Sequence, residues 1–293
     1  MKCKWLFTCL TLGLVSALQA SEFKLTDQKD QIQATDIAEA SGLAVSNRDD
    51  HFLWTLNDSG GTPEIHLFGT DGADRGKVKI TNATNTDWED IASFKLDGKP
   101  YLLVADTGDN KSKRKTCTLH ILPEPKLPAD GQKLDGTVAA EWHIDFTYEG
   151  GPRDCEAVAV DPVREKIILI TKRTQPPEVY ELPLRAPEKR GTLTLKKIGQ
   201  TEVVSPAAIP FFDRPVGLDI TADDSLAAIV TYRSVFLFPR KPDESWADAF
   251  SHKPEMLTPH GLAQAESVAF SKDGKSIYVI SEGKNSPIKC YGR

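Results

Sequence analysis

The sequence predicts an all-β fold, a five-bladed β-propeller closed by its own N-terminal residues, and three observations predict it. A short apolar phrase recurs five times, opening at Ser41, Glu89, Glu156, Val216 and Glu266. A second apolar phrase follows each opening after 16 or 17 residues, ending at Asp58, Asp106, Lys172, Tyr232 and Glu282. Turn chemistry lies between them, as in Asn47-Arg-Asp-Asp, Leu96-Asp-Gly and Lys272-Asp-Gly, so each pair of phrases reads as an antiparallel hairpin. Successive openings are 48, 67, 60 and 50 residues apart, about the length of a four-stranded blade. The 28 residues from Glu266 to Arg293 and the 20 from Ser21 to Ala40 together supply the fifth interval, which is why the N-terminus is expected to complete the last blade. A six-bladed ring, with a degenerate blade between 107 and 150, is the alternative.

In chain order, residues 1–20 read as a secretory signal: Lys2 and Lys4 precede the apolar run Trp5 to Leu18, and Ala17 and Ala20 offer small-residue cleavage sites. The run is short for a membrane span, and no later stretch could be one. The expected mature protein, residues 21–293, is a single propeller domain, periplasmic or secreted and monomeric. It carries 34 basic against 42 acidic residues, a balance that argues against nucleic acid as partner. Its three cysteines, Cys117, Cys155 and Cys290, allow either one disulfide with a free thiol or three buried single thiols.

The first blade runs from Glu39-Ala-Ser-Gly-Leu-Ala to about Thr81, with a third strand near Glu64 to Gly69. The second opens at Asp87-Trp-Glu-Asp-Ile-Ala. Its outer strands are expected at Thr116 to Leu122 and Val138 to Tyr148, separated by a Pro-, Gly- and Asp-rich loop from Pro123 to Gly136. The third opens after Gly150-Gly-Pro-Arg-Asp-Cys and places Leu193 to Ile198 outermost. The fourth opens at Pro215-Val-Gly-Leu-Asp and carries an insertion from Pro239 to Pro259, with one helical turn around Trp246. The fifth opens at Ala265-Glu-Ser-Val.

The first residue of an outgoing strand and the last of its return lie at one end of a hairpin. The openings and ends should therefore converge on one mouth of the channel. Blades five, one and two bring Glu266, Glu282, Asp58, Glu89 and Asp106; blades three and four bring Lys172, Arg173, Tyr232 and Arg233 against Glu156. One arc is acidic and the other basic. Two carboxylates about 6 Å apart repel by roughly 3 kcal/mol at an effective dielectric near 20, so the acids need protons, paired bases or a bound cation. Oxygen-only donors favour a hard ion, calcium before magnesium. The same acids could instead cap loop N–H groups or pair with Lys172 and the arginines. Trp88, beside Glu89, is a candidate stacking platform or an interblade core residue.

Glu39-Ala-Ser-Gly-Leu with Asn57-Asp-Ser-Gly, Asp87-Trp-Glu-Asp-Ile-Ala with Asp106-Thr-Gly-Asp-Asn, Arg153-Asp-Cys-Glu-Ala with Thr171-Lys-Arg, and Ala265-Glu-Ser-Val-Ala-Phe resemble a group of secreted bacterial β-propellers whose role is largely unassigned. More distantly, the acidic openings are similar to those of phytase-like esterase and calcium-dependent lactonase propellers, which implies a channel ion polarising an ester or phosphate. Val216 departs from that pattern. Two functions are expected from these residues. One is a periplasmic binding or scaffold protein with a cation-binding mouth, for a small anionic molecule or a cell-envelope protein, with loops 59–63, 107–115 and 173–178 as recognition face. The other is a calcium-dependent hydrolase of a phosphoester, ester or lactone, with Glu89 and Glu156 as catalytic candidates and Lys172, Arg173 and Arg233 holding the substrate's anionic group.

Overall fold

A computed structural model describes residues 23–185, 191–203, 209 and 211–293, so the expected signal segment 1–20 lies outside the described residues. After β1 (Lys24–Leu25), the first blade is formed by β2 (Ala40–Val45), β3 (Phe52–Asn57), β4 (Glu64–Gly69) and β5 (Asp74–Ile80). The second begins with β6 (Trp88–Leu96), β7 (Lys99–Asp106) and β8 (Cys117–Pro123). The chain then returns to the first blade, where β9 (Leu134–Val138) lies parallel to β5, before β10 (Trp142–Tyr148) joins the second. The third blade holds β11 (Cys155–Asp161), β12 (Lys166–Thr171) and β13 (Glu178–Pro183). Next, β14 (Leu193–Leu195) lies parallel on β10, and β15 (Lys197–Gln200) completes the third blade. The fourth contains β16 (Gly217–Ile220), β17 (Leu226–Val230), β18 (Val235–Pro239), helix α1 (Trp246–Ser251) and β19 (Glu255–Met256). The fifth contains β20 (Ala265–Phe270), β21 (Ser276–Ser281) and β22 (Lys289–Gly292), and β1 pairs antiparallel with β22, closing the ring.

Five blades closed by an N-terminal strand is the expected architecture. Two outer segments differ from expectation for one shared reason. The loop expected over 123–136 ends early because Leu134–Gly136 is drawn into β9. The strand expected over 193–198 divides between two blades. In both places an otherwise open outer edge, of β5 or of β10, takes up an extra strand and loses its row of unpaired backbone groups.

Apolar runs form these strands because both faces of each sheet are buried between neighbours. Along β11, Val158 and Val160 pack toward the second blade, whereas Ala157 and Ala159 pack toward the fourth. The two-residue period of a strand thus divides one phrase between two interfaces. The same rule yields a core cluster at every blade boundary among the described residues. Fully buried Ile168, Ile170 and Leu169 each contribute about 2 to 3 kcal/mol of apolar burial. Helix α1 is capped by Ser245, which accepts from the Asp248 amide, and pinned by the Trp246 indole N–H donating to buried Asp161 (2.8 Å). All three cysteines of the described chain are free and buried.

Candidate functional site

The openings of the innermost strands do converge, and a local irregularity aims them. Trp88 pairs with Asp106 and Asp90 with Ala105, leaving Glu89 as an extra residue. Glu156 and Glu266 are the extra residues at the same place in β11 and β20. A β-bulge leaves one residue out of the ladder and redirects its side chain. Here it releases the three glutamates from the strand's alternation while the preceding residues, Trp88, Cys155 and Ala265, stay wholly buried. In the first blade the extra residue is Gly42, and the Ser41 hydroxyl donates instead to the Glu89 carbonyl (2.6 Å), fixing the backbone that carries that carboxylate.

Two sets of carboxylates meet at this mouth. Oxygens of Asp58, Asp87 and Glu89 lie within 4.8 Å of one another, as do those of Glu89, Asp154 and Glu156. Glu89 belongs to both sets and is 3% exposed. Ionised pairs this close repel by roughly 3 kcal/mol each at an effective dielectric near 20. Burial first, then the charges of Glu156, Asp58 and Asp87, push Glu89 well above the ordinary carboxyl range. Burial and then Asp87 push Asp58 up to about 6. Burial also raises Asp87, with Arg114 opposing it.

The returning strands decide which acids are neutralised. Amides of Asp58, Lys172 and Glu282 donate to the carbonyls of Glu39, Asp154 and Gln264 respectively, each two residues before an opening residue. In the second blade the equivalent bond, to Asp87, comes from Gly108. The side chain delivered to the mouth is therefore Asp58, Lys172 and Glu282 in three blades and none in the second. A Cβ on Gly108 would fall 2.1 Å from a Glu89 carboxylate oxygen and 2.6 Å from one of Asp87. Glycine here gives those two carboxylates their room.

Asp106 stops short of the mouth and belongs to neither carboxylate set. Its carboxylate accepts from the Thr86 and Asp87 amides (both 3.2 Å) and pairs with Arg114 (2.7 Å), which holds the loop that carries Asp87. Lys172 is buried in an ion pair with Glu156 and lies 5.3 Å from the centre of the Tyr232 ring. Burial alone would depress this lysine, but the Glu156 carboxylate holds it above its usual value. Glu156 rises only to about 7, since Lys172 opposes the effect of burial. Arg173 reaches buried Asp154 (2.5 Å), and Asp154 also accepts from the Asp109 amide (2.8 Å). Burial and then the neighbouring Glu282 carboxyl push Glu266 up to about 9. Exposed Arg233 lies 4.3 Å from the Phe212 ring centre. Trp88 is no stacking platform: it is wholly buried against the first blade, and its indole N–H donates to the Thr84 carbonyl (2.9 Å).

Asp87, Asp154 and Gly108 are the participants that the repeated phrases alone did not single out. The two aspartates carry a signal in the sequence: Asp87-Trp-Glu and Asp154-Cys-Glu place an acid two residues before the bulged glutamate, where Glu39 and Gln264 stand in the first and fifth blades.

The sequence matches no protein-family model and no curated protein. Solved structures similar in fold include luciferin-regenerating enzyme, with a TM-score of 0.46 and 11% identity over 90% of this chain and 95% of that one. A Bacteroides uniformis protein provisionally assigned as a 6-phosphogluconolactonase aligns at TM-score 0.39 and 13% identity over 85% of this chain and 66% of that one. U3-55K aligns at 0.40 and 12%, over 87% and 68%. These likenesses concern the fold alone.

Proposed function

We propose that the protein is an exported propeller whose acidic mouth binds a divalent cation, calcium before magnesium, and through it a small anionic molecule. The observation that carries this reading is Glu89: buried, shared by two carboxylate sets, and beside a glycine where the next blade supplies Lys172. The donors fit a hard ion. Asp58, Asp87 and Glu89 offer oxygen only, beside Glu156 and Asp154 that are already paired with Lys172 and Arg173, and calcium takes about six to eight oxygens with loose geometry. Asp58 and Asp87 are only half-buried, which leaves one side of the group accessible to a ligand. Arg173 stands at that rim. Export rests on the pattern of Lys2, Lys4 and the following apolar run.

Hydrolysis of an anionic ester, lactone or phosphoester is a second reading, favoured by the Glu266–Glu282 pair. A bound cation would polarise the scissile oxygen and acidify a water. Glu266, holding a proton through neutral pH, is suited to protonate a leaving group. The test is calcium titration of chelator-stripped protein, followed by melting and by turnover of a phosphoester and lactone panel. Calcium-dependent melting without turnover selects the binding reading; calcium-dependent turnover lost in Glu266→Gln selects the hydrolase. No response of either kind to calcium would defeat both.

A further inference from the structure

The far ends of the innermost strands enclose a second cavity, of about 430 Å³, at the other end of the channel and away from the carboxylates. All five blades line it, and its volume lies in the range of small-molecule sites, roughly 300 to 1,000 Å³. Its walls are apolar where Phe94, Val160, Ile220 and Phe270 contribute, and Val163 stands at its edge 61% exposed. Its cationic groups are Lys95 and Lys272, the second of which also feels the Asp49 carboxylate. Asn47 adds a buried side-chain N–H group that has no acceptor. The one lining carboxylate, Asp219, is engaged by the backbone, accepting from the Phe270 amide (2.7 Å) and the Ile220 amide (2.8 Å).

The geometry points to a second ligand site here, for a small carboxylate on an apolar body. Apolar walls offer nothing to a fully hydrated dianion, and two ammonium groups disfavour a cation. A carboxylate head between Lys95 and Lys272 would accept from the Asn47 N–H group that now lacks an acceptor, with its hydrocarbon part against Val160 and Phe270. The charge of this mouth is opposite to that of the cation site, so one chain presents two ligand sites of different chemistry.

Octanoate, octanol and octylammonium are the probes, titrated by calorimetry into the intact protein and into three variants. Octanoate is expected to bind saturably, one per chain, and about tenfold more tightly than octanol, the size expected when two partly solvated charges each add a modest contribution. Lys95→Ala combined with Lys272→Ala should reduce octanoate to the level of octanol while leaving the melting temperature unchanged, both side chains being outside the core. Glu89→Gln should leave octanoate binding as it was, whatever it does to calcium. A narrower variant, Val163→Asp, should weaken octanoate without the lysine changes. Octanoate binding no better than octanol or octylammonium, no saturable binding, full affinity in the double-lysine variant, or affinity lost in Glu89→Gln would overturn the proposal.

Discussion

The second and third blades present the same acidic motif and treat it in opposite ways. Asp154-Cys-Glu156 is closed off by its own return strand, since Lys172 and Arg173 pair with Glu156 and Asp154. Asp87-Trp-Glu89 meets Gly108 at the matching place and so gains no paired base from its own return strand. The difference of one side chain decides whether a buried glutamate meets a paired base from its own return strand or none. It also teaches that a repeated acidic position is not one kind of site: its meaning is set by the strand that comes back beside it.

Making the third blade resemble the second should have the largest effect. Lys172→Met strips Glu156 of its partner, and an uncompensated buried charge costs about 3 to 5 kcal/mol. Because burial already holds Glu156 near 7, the loss in denaturant stability should be greatest at pH 8 and shrink toward pH 5, where Glu156 is protonated. A pH-independent loss would mean that packing, rather than charge, is what Lys172 provides. Glu89→Gln makes the converse change. The parent should gain about 2.7 kcal/mol when calcium is supplied at a hundredfold excess over its dissociation constant. The variant should gain nothing, yet melt no lower than the parent in chelator.

The pH response of the cation-free protein sharpens the comparison further. Asp58, Glu156 and Glu266 are held at about 6, 7 and 9, all above their unfolded values, so the folded state binds more protons than the unfolded one in that interval. Stability contributed by those protons is present at low pH and is lost as pH rises through each folded value. The chelated protein should therefore melt higher at pH 5 than at pH 8, and calcium should narrow the gap by binding the ionised acids. The smallest effect is expected from Gly108→Ala. Glu89 must move aside for the new methyl group, weakening calcium about tenfold with under about 1 kcal/mol lost in its absence, as paired titrations and melts would show.

Much of this was legible in the sequence because the blade phrases repeat and both faces of the inner strands are apolar. The spacing of 16 or 17 residues placed Asp58, Lys172 and Glu282 at the mouth beside Glu89, Glu156 and Glu266. The same count failed for Asp106. The second blade's return strand runs two residues further before making the shared backbone bond, and a residue count does not see a hydrogen bond. Trp88 was ambiguous for a related reason: the bulge that frees Glu89 leaves its neighbour facing the core, and a bulge has no sequence mark of its own. The outer-edge strands β9 and β14 were hidden in polar segments whose partners lie in a different blade.

Two channel acids were also out of reach. Asp90 accepts from the Val158 amide (2.9 Å) and the Leu218 amide (3.2 Å), tying three blades together, and Asp219 ties the fourth to the fifth. Their partners are backbone groups on other strands, and such contacts become visible only once the ring is closed.

The most direct measurement is calorimetric titration of calcium into the chelator-stripped chain at pH 8, run beside Glu89→Gln. Saturable binding in the parent that disappears in the variant is the predicted result. Equal heats in the two proteins, or no binding in either, would contradict the assignment of Glu89 as the ligand that the second blade leaves free.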